Sequence, residues 1–523
     1  MSYRYLLIPG RHQAITRFQI AHLKELLNDE TVARNAEIIW AVTSANHAGT
    51  QRNPISGSRR LGMIEAISVA EQLPSQVFRI TNMTQKPNFA HYLIEGVRLE
   101  SKGRVSMTPE NTLVITSTQP VAEQYQQLGY AVNTAELDET FTIERGPRPW
   151  DVIEEVIKSG AQWRTSAIVQ DELHPICLEQ FERYGLGDDI VEVFQDPLID
   201  SDDGDITTTR DYNSYRQAFE DGAIRKVADF EQYVQPGRIL DVGSATGETL
   251  KILANKPELF ESDFYGVEAA RPLYQICQQR KDNNEFGNAN VYFYQRNIMR
   301  SSLFPHNSLN TIITMALTHE IESYLGRAEL KAFIKRMYDI LAPGGVYINY
   351  DVLGPHEKDT IVYAQLNTAD GETPDDVYPA ISDNQLPDFL RSLSTKARFE
   401  RFKKDFRAKE GDQIVATTEI IEGQEYAVLR YADFCDFLAK KDYANSWLSE
   451  MHERFCFWEY SDWQAALIEV GFEIADGSEA KQNPWLIQNR FAPAANVFKK
   501  VGDTLVAMPQ PVTNVLLVAR KPL

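Results

Sequence analysis

The sequence predicts an α/β protein with two doubly wound domains, the second of which carries a largely helical insertion. Two blocks of short apolar strands alternate with helical stretches, which is the pattern of parallel βαβ units. The first block contains the strands "YRYLLIP", "AEIIWAVTSA" and "NTLVITS", and the second begins at "GRILDVGSATGETLKIL". With 523 residues and 43% apolar content, the chain is long enough to form a separate core in each domain.

The domain boundaries follow from where this alternation stops. The first domain is predicted over residues 1–165. Residues 166–225 are predicted to be a linker or helical connection, because the periodicity weakens there and "FQDPLIDSDDGDITTTRDYNS" is acidic and rich in turn residues. The second domain is expected to comprise residues 226–355 and 456–523. Residues 356–455 are charged and lack the alternation, so they are predicted to be an insertion that caps the second domain.

Composition and charge exclude several classes of partner. The net charge of −21 repels phosphate backbones, so free nucleic acid is an unfavoured partner. The four cysteines are scattered without a C-x-x-C pair, which predicts neither a metal site nor a disulfide framework. No apolar stretch reaches the ~18 residues that span a bilayer, and the N-terminal apolar run is too short for a signal peptide. We therefore expect a cytoplasmic protein that does not bind membranes.

A glycine-rich turn in "ILDVGSATGET" is the first candidate ligand site. An apolar strand ends at Asp241, and Gly243 and Gly247 follow in a turn that opens a helix, where backbone N–H groups can receive polar groups. The next strand, "DFYGVE", ends in Glu268, an acid placed to accept hydrogen bonds from ribose hydroxyls. This spacing also fits a dinucleotide site, but the turn reads D-x-G-x-x-x-G and lacks the phosphate-type G-x-G-x-x-G.

The second block resembles the class I S-adenosylmethionine-dependent methyltransferases over residues 226–355 and 456–523. The matching features are D-x-G-x-x-x-G, the acid at Glu268, the polar "RNIM" after the third strand and "LAPGGVYINYDV", with Pro-Gly-Gly before the fifth strand. The resemblance implies a Rossmann-like sheet, S-adenosylmethionine as methyl donor, and an adenine pocket at Asn297, where the family usually has Asp. The cofactor-binding residues that it implies are Asp241, Gly243, Ser244, Ala245, Gly247, Glu268, Asn297 and Ile298.

Candidate acceptor-side residues follow the fourth and fifth strands. "MALTHEIESY" places His319 and Glu320 at the predicted mouth of the site, where a histidine can remove a proton from a hydroxyl or nitrogen acceptor. The alternative is that His319 caps the following helix or packs under the insertion. Tyr350 and Asp351, at the end of the fifth strand, are further candidates of the same kind. The predicted catalytic residues are His319, Glu320 and Tyr350.

The insertion bears on the choice of acceptor. A capping segment of this size indicates a closed pocket, so we expect a small-molecule acceptor that is nucleotide-related or aromatic. Arg490 and His452, in aromatic-rich stretches, are candidate polar residues of that pocket. The basic run "RFERFKKDFRAK" at residues 398–409 leaves RNA methylation open as an alternative, although a solvated helix face is the preferred interpretation.

The first block resembles the archaeal-type nicotinamide-mononucleotide adenylyltransferases of the HIGH superfamily over residues 1–165. "GRHQ" is similar to the family's G-R-F-Q, and "VITSTQPVAEQYQQLGY" to its later strand, turn and helix. A third stretch matches in order at Ser44, Ala45, Asn53, Pro54, Arg60, Met63 and Ile64. The nucleotide-binding residues that the resemblance implies are Gly10, Arg11, Thr16, Gln19, Asn53 and Arg60.

The catalytic loop of this block departs from the family pattern. The signature histidines fall on Thr16 and Gln19, and glutamine cannot carry the positive charge that stabilises a triphosphate during adenylyl transfer. His12 and His22 are nearby but out of register, and the expected phosphate turn offers only Arg145 and Arg148.

Three roles for the first domain stay open. They are adenylyl transfer with ATP or an NAD-type nucleotide and Mg²⁺, nucleotide binding without turnover, and a purely structural role. For the whole chain, the rivals to methyl transfer are a bifunctional adenylyltransferase and methyltransferase, and a non-catalytic ligand-sensing protein. The oligomeric state is also open, and a homo-oligomer is compatible with the sequence.

Overall fold

The computed structural model describes residues 2–45, 48–81, 88–195, 222–287, 290–300 and 303–523. The chain divides into two compact units, one of residues 1–204 with 295–302 and the other of residues 205–294 with 303–523. Both are α/β, as the sequence predicts. Within the described residues, no helix combines the length and apolar character needed to cross a bilayer. All four cysteines are buried free thiols.

The first unit is built on a five-stranded parallel sheet with the order β3-β2-β1-β4-β5. Its strands are β1 (Tyr3–Gly10), β2 (Val32–Thr43), β3 (Ser75–Ile80), β4 (Thr112–Ile115) and β5 (Ala131–Asn133). Its α-helices span Arg17–Leu27, Gly57–Ala70, Phe89–Glu100, Gln119–Gln127, Pro149–Ser159, Ala167–Glu172, Pro175–Arg183 and Leu186–Gln195. Apolar cores cover both faces of the sheet.

The core of this unit extends beyond residue 165, where the sequence analysis placed the domain edge. Val169, Phe181 and Ile190, from three short helices, pack into the same cluster as β1 and β2. Helices of six to ten residues show too few turns for their periodicity to stand out. Most of the acidic stretch predicted to be a linker, residues 196–221, lies outside the described residues.

The second unit contains an eight-stranded sheet whose main path is β14-β18-β10-β9-β6-β7-β8, with β15 paired to β18. The pairs among β6, β7, β9 and β10 are parallel, and β18 is antiparallel to β10. The strands are β6 (Arg238–Val242), β7 (Asp263–Glu268), β8 (Val291–Gln295), β9 (Leu309–Met315), β10 (Leu341–Val352), β14 (Glu473–Ile474), β15 (Glu479–Lys481) and β18 (Asn514–Arg520). Its helices span 222–230, Glu248–Ala254, Arg271–Asp282, Thr318–Glu320, Arg327–Ile340 and Tyr460–Val470.

A third, antiparallel sheet has the order β12-β13-β11-β16-β17. Its strands are β11 (Ile361–Leu366), β12 (Ala416–Ile421), β13 (Gln424–Arg430), β16 (Ala495–Val501) and β17 (Thr504–Ala507). The helices of this region span Leu386–Ser392, Thr395–Asp405, Tyr431–Lys440, Trp447–Glu450 and Pro484–Leu486. Buried residues of the strands and helices form one core.

The predicted insertion is therefore a helix-and-sheet layer, and two strands that complete it come from residues predicted to belong to the second domain. The hairpin of β12 and β13 turns at Glu422 and Gly423, which both have positive φ, as a two-residue hairpin turn requires. Leu429 is the one buried residue in these two strands, so the hairpin adds little to the core.

Candidate functional site

The glycine-rich turn follows β6 and adopts a left-handed backbone at Gly243 (φ +69°), Ala245 (φ +46°) and Gly247 (φ +77°). The helix Glu248–Ala254 begins directly after Gly247. A Cβ at Gly247 would lie 3.0 Å from the ring of Phe293, so both the backbone and the space favour glycine. Ala245 adopts the same conformation although it has a Cβ, which costs free energy unless other contacts hold it.

Glu268, the last residue of β7, supplies those contacts. One carboxylate oxygen accepts a hydrogen bond from the amide of Ala245 at 2.8 Å, and the other accepts from the amide of Ala270 at 2.9 Å. The acid predicted to contact ribose thus also fixes the shape of the glycine turn. The structure brings together Asp241, Gly243, Ser244, Ala245, Gly247 and Glu268, as the sequence predicts.

Asp241 is buried next to this turn, with 2% of its surface exposed. Its Oδ2 atom has no hydrogen-bond partner among the described residues. Burial raises the pKa of Asp241 well above its ordinary value, and the negative charge of Glu268 raises it further. A buried, unpaired carboxylate oxygen favours a cation, and the α-ammonium of S-adenosylmethionine is such a group. The residues present therefore fit the predicted cofactor.

The predicted adenine contacts follow β8. Asn297 accepts a hydrogen bond from the amide of Met299 at 3.0 Å, and Ile298 is buried. Both residues fall in the 295–302 segment that belongs to the first unit. Their role at the adenine stays a prediction.

His319 lies in the turn after β9 and is held between two buried carboxylates. Its Nδ1 atom is 2.6 Å from Oδ1 of Asp351, and its Nε2 atom is 3.4 Å from Oε2 of Glu453. Asp351 is the penultimate residue of β10, whereas Glu453 belongs to the region predicted to be the insertion. The ring of Phe455 packs edge-on against the imidazole with centroids 4.9 Å apart. We call His319, Asp351 and Glu453 the buried triad.

The two carboxylates determine the charge of His319. Burial alone would lower the pKa of the imidazole, but the charges and hydrogen bonds of Asp351 and Glu453 outweigh it and raise the pKa well above its ordinary value. Burial likewise opposes ionisation of Asp351, yet His319 and Thr318 hold the pKa of that carboxyl below its ordinary value. At neutral pH His319 is therefore a cation, which favours the predicted packing role over the role of a base.

The other acceptor-side candidates are placed differently. Glu320 is buried beside His319 in the turn Thr318–Glu320. Tyr350 precedes Asp351 in β10, so its side chain points to the opposite face of the sheet, where its hydroxyl donates to Oδ2 of Asp229 at 3.2 Å. Burial and the charge of Asp229 raise the pKa of Tyr350 above its ordinary value. The structure separates Tyr350 from the buried triad.

Two further polar candidates are engaged elsewhere. His452 lies 2.7 Å from Oε1 of Glu410, and the guanidinium of Arg490 lies over the ring of Trp485. Within the described part of the chain, no group of three or more His, Cys, Asp or Glu side chains has the arrangement of a metal site. Sequence analysis missed Glu453 because no motif marks it and its partner is far away in the chain.

Comparison with known proteins identifies the part of the chain that contains β6 to β9. Residues 239–345 match the family model described as a methyltransferase domain. This part of the chain is a methyltransferase domain. The match begins inside β6 and includes the glycine turn, Glu268 and His319, so a class I S-adenosylmethionine-dependent methyltransferase domain lies in the C-terminal part of the protein.

Solved structures of similar fold cover more than half of the chain. An S-adenosylmethionine-dependent methyltransferase from Mesorhizobium loti is 13% identical, covers 58% of this chain and 99% of its own, and has a TM-score of 0.32. A SAM-dependent methyltransferase from Methanosarcina mazei is 12% identical, covers 56% of this chain and 97% of its own, and has a TM-score of 0.29. Scores this low add nothing to the assignment. No curated protein matches the chain.

The first unit has a cavity of about 480 Å³ at the carboxyl ends of β1, β4 and β5. Of the residues predicted to bind a nucleotide, Gly10, Arg11 and Gln19 line it, whereas Thr16, Asn53 and Arg60 do not. The other polar and charged lining residues are His12, Gln13, His22, Thr116, Ser117, Thr118, Glu136, Arg148, Asp151 and Glu154. Arg145 does not line the cavity.

Arg60 supports the wall behind this cavity. Its buried guanidinium donates to the carbonyl oxygens of Arg11 (2.6 Å), Thr43 (2.9 Å), Ser44 (2.8 Å) and Ile55 (3.0 Å). Burial and neighbouring arginines lower its pKa to about 10, so it stays charged at neutral pH. Arg60 therefore shapes the loops after β1 and β2.

Thr16 and Gln19, which align with the adenylyltransferase signature, form a helix cap. The Thr16 hydroxyl accepts a hydrogen bond from the backbone N–H of Gln19 at 3.1 Å. The side-chain oxygen of Gln19 accepts one from the backbone N–H of Thr16 at 3.3 Å. The Gln19 amide group then donates to Glu136 at 2.8 Å. Nearby, burial lowers the pKa of His12 to about 4, so this histidine is neutral.

The buried triad predicts a defined pH dependence of stability. The pKa of His319 is higher in the folded protein than in the unfolded chain. Its contribution to the free energy of unfolding is therefore complete below the unfolded pKa of about 6.5, and it is lost as pH rises through the folded pKa. We expect His319→Gln to destabilise the second unit by roughly 3–5 kcal/mol near neutral pH, because it leaves two carboxylates buried without a cation. Urea unfolding from pH 6 to pH 10 measures the difference.

The exposed His356 provides the matched control. His356→Gln removes a histidine that also lies near a carboxylate, Glu459, but in solvent. We expect this variant to unfold like the wild type across the pH range. If His319→Gln also leaves the unfolding midpoint unchanged at every pH, the buried triad is not the ion cluster described.

Proposed function

We propose that the protein transfers a methyl group from S-adenosylmethionine to a small nucleotide-related or aromatic acceptor. The observation that carries this proposal is the buried, unpaired Oδ2 atom of Asp241 beside the left-handed glycine turn. A site that buries a carboxylate next to the carboxyl ends of β6 and β7 is suited to a ligand with a cationic amino acid end. The family match over residues 239–345 supports the same reaction class.

The residues of the site act by binding and positioning. When bound, S-adenosylmethionine supplies an electrophilic methyl group on a sulfonium, and in-line placement of the acceptor supplies much of the rate. Asp241 would hold the ammonium group, and Glu268 would hold the ribose while it keeps Ala245 in its turn. His319 would position the segment around Glu453 above the site, and its positive charge makes it unsuited to take a proton from the acceptor.

We also infer that the N-terminal domain binds a nucleotide such as ATP or an NAD-type molecule without transferring an adenylyl group. Arg11 on the wall of the cavity supports contact with an anionic group of the ligand, whereas Arg148 is paired with Asp151. The helix cap formed by Thr16 and Gln19 supports the absence of turnover, because these groups are hydrogen-bonded to each other and to Glu136. The bifunctional and ligand-sensing alternatives remain as outcomes of the tests.

Binding of the methyl donor is tested by isothermal titration with S-adenosylmethionine. We expect Asp241→Asn to weaken binding by about tenfold or more, because it removes the charge that pairs with the ammonium group. Glu268→Gln should weaken it similarly by freeing the turn. Glu261→Gln, an exposed acid between β6 and β7, should bind like the wild type. Equal affinity in all four proteins, or no binding by the wild type, would refute the proposed donor site.

The role of the N-terminal domain is tested with ATP and NAD. We expect Arg11→Gln to weaken nucleotide binding by about tenfold, since Arg11 lines the cavity. The exposed Arg34, at the other end of the sheet, provides a control in Arg34→Gln. With ATP, Mg²⁺ and nicotinamide mononucleotide, we expect no pyrophosphate release. Release would establish the bifunctional alternative, and absence of any nucleotide binding would leave a structural role.

A further inference from the structure

The second unit contains a cavity of about 450 Å³ that is formed by residues other than those of the methyl-donor turn. It is bordered by the helix Thr395–Asp405, by the residues after the helix Tyr431–Lys440 and by a π-helical turn, Ile487–Phe491. It shares no lining residue with the glycine turn or with the buried triad. We call it the arginine cavity.

Three cations in the arginine cavity surround one carboxylate. Asp442 accepts from Nη1 of Arg398 at 2.9 Å and from Nζ of Lys441 at 2.6 Å, and Nε of Arg490 lies 3.9 Å from the same carboxylate. The single negative charge of Asp442 therefore faces three positive charges. In a chain with a net charge of −21, this local excess is unusual.

The second carboxylate of the cavity is engaged elsewhere. Asp370 accepts from the amide of Thr395 at 2.9 Å and from its hydroxyl at 2.6 Å. Across the described residues it forms no ion pair within 4 Å. Asp370 therefore caps a helix, and its charge lowers the net positive charge of the cavity without pairing with any of the three cations.

The excess positive charge of the cavity affects the pKa of Lys441. Only 6% of its side chain is exposed. Burial lowers the pKa of the ammonium group, and Arg398 and Arg490 lower it further, while Asp442 offsets part of the effect. An additional anion would stabilise the charged lysine.

A flat aromatic surface adjoins these cations. Trp485 is 53% exposed, and the guanidinium of Arg490 lies 5.3 Å from the centre of its ring. On the other side the same guanidinium lies 5.7 Å from the ring of Tyr443. The π-helical turn is a rare form that recurs at functional sites, and here it places Asn489 and Arg490 on the wall of the cavity.

We propose that the arginine cavity binds a small organic phosphate, with the phosphate on Arg398, Lys441 and Arg490 and a planar ring on Trp485. Three cations less the charges of Asp442 and Asp370 leave a net positive charge of one, which attracts a phosphate monoester with nearly two negative charges at pH 7. Guanidinium groups present paired donors to phosphate oxygens, and indole rings stack on flat rings. The cavity volume is in the range of small-ligand sites. This site is independent of the proposed methyl-donor site.

The test uses the full-length protein and isothermal titration with phenyl phosphate and inorganic phosphate, neither of which is a nucleotide. We expect the wild type to bind phenyl phosphate more tightly than inorganic phosphate. Arg490→Gln should weaken both by about tenfold, because it removes a charge-assisted contact. Trp485→Leu should weaken only phenyl phosphate. Both side chains are partly exposed, so neither substitution opens a core.

Two controls separate this proposal from the proposed function. Lys331→Gln removes an exposed cation outside the arginine cavity, paired with Glu469, and should bind both probes like the wild type. S-adenosylmethionine should bind with unchanged affinity to Arg490→Gln and Trp485→Leu. If phenyl phosphate fails to bind the wild type, or binds equally to the wild type and both variants, the site is refuted whatever the result for S-adenosylmethionine.

Discussion

Two carboxylates buried at the ends of adjacent strands are the constraint on which the methyl-donor site depends. Glu268 must accept the amide of Ala245 to hold the left-handed turn, and Asp241 is buried close enough for its pKa to rise in response to that charge. The negative charge of Glu268 thus disfavours ionisation of Asp241. The turn is thus preorganised by one carboxylate and left with a second that favours a cationic ligand.

A second cluster of buried charges connects the strand ends to the region above them. Glu453 reaches His319, and the same segment is held from the other side by Lys440, whose ammonium donates to Asp436 at 2.8 Å and to the carbonyl oxygen of Glu453. Oδ1 of Asp436 also accepts the amide of Phe455 at 2.8 Å. Because Lys440 holds the backbone of Glu453 while the carboxylate of Glu453 pairs with His319, this segment and the ends of β9 and β10 are energetically coupled.

The sequence predicts most of the donor site because its chemistry is local. Asp241 to Gly247 lie in one turn, and the strand that follows brings Glu268 to the same edge of the sheet. By contrast, Glu453 has no motif and is paired with a residue far away in the chain. The antiparallel sheet was also missed, since the half-exposed strands around Glu422 and Gly423 bury few apolar residues, and β16, on the other side of β11, comes from the C-terminal stretch.

The predicted nucleotide residues divide for a physical reason. Gly10, Arg11 and Gln19 line the cavity of the first unit, whereas the guanidinium of Arg60 donates hydrogen bonds to four backbone carbonyl oxygens. A motif shows that an arginine stands at a position, but not whether its donors face a ligand or the backbone. The same limit applies to His319, whose role depends on carboxylates contributed by β10 and by the segment after the helix Trp447–Glu450.

The most direct test of the central claim is a crystal structure of the protein with S-adenosylhomocysteine, which keeps the ammonium and ribose groups of the donor. The account predicts the ammonium nitrogen within about 3 Å of Oδ2 of Asp241 and a ribose hydroxyl on Glu268. A structure in which the ligand occupies another site, or in which Asp241 stays buried without a partner beside the bound ligand, would contradict it.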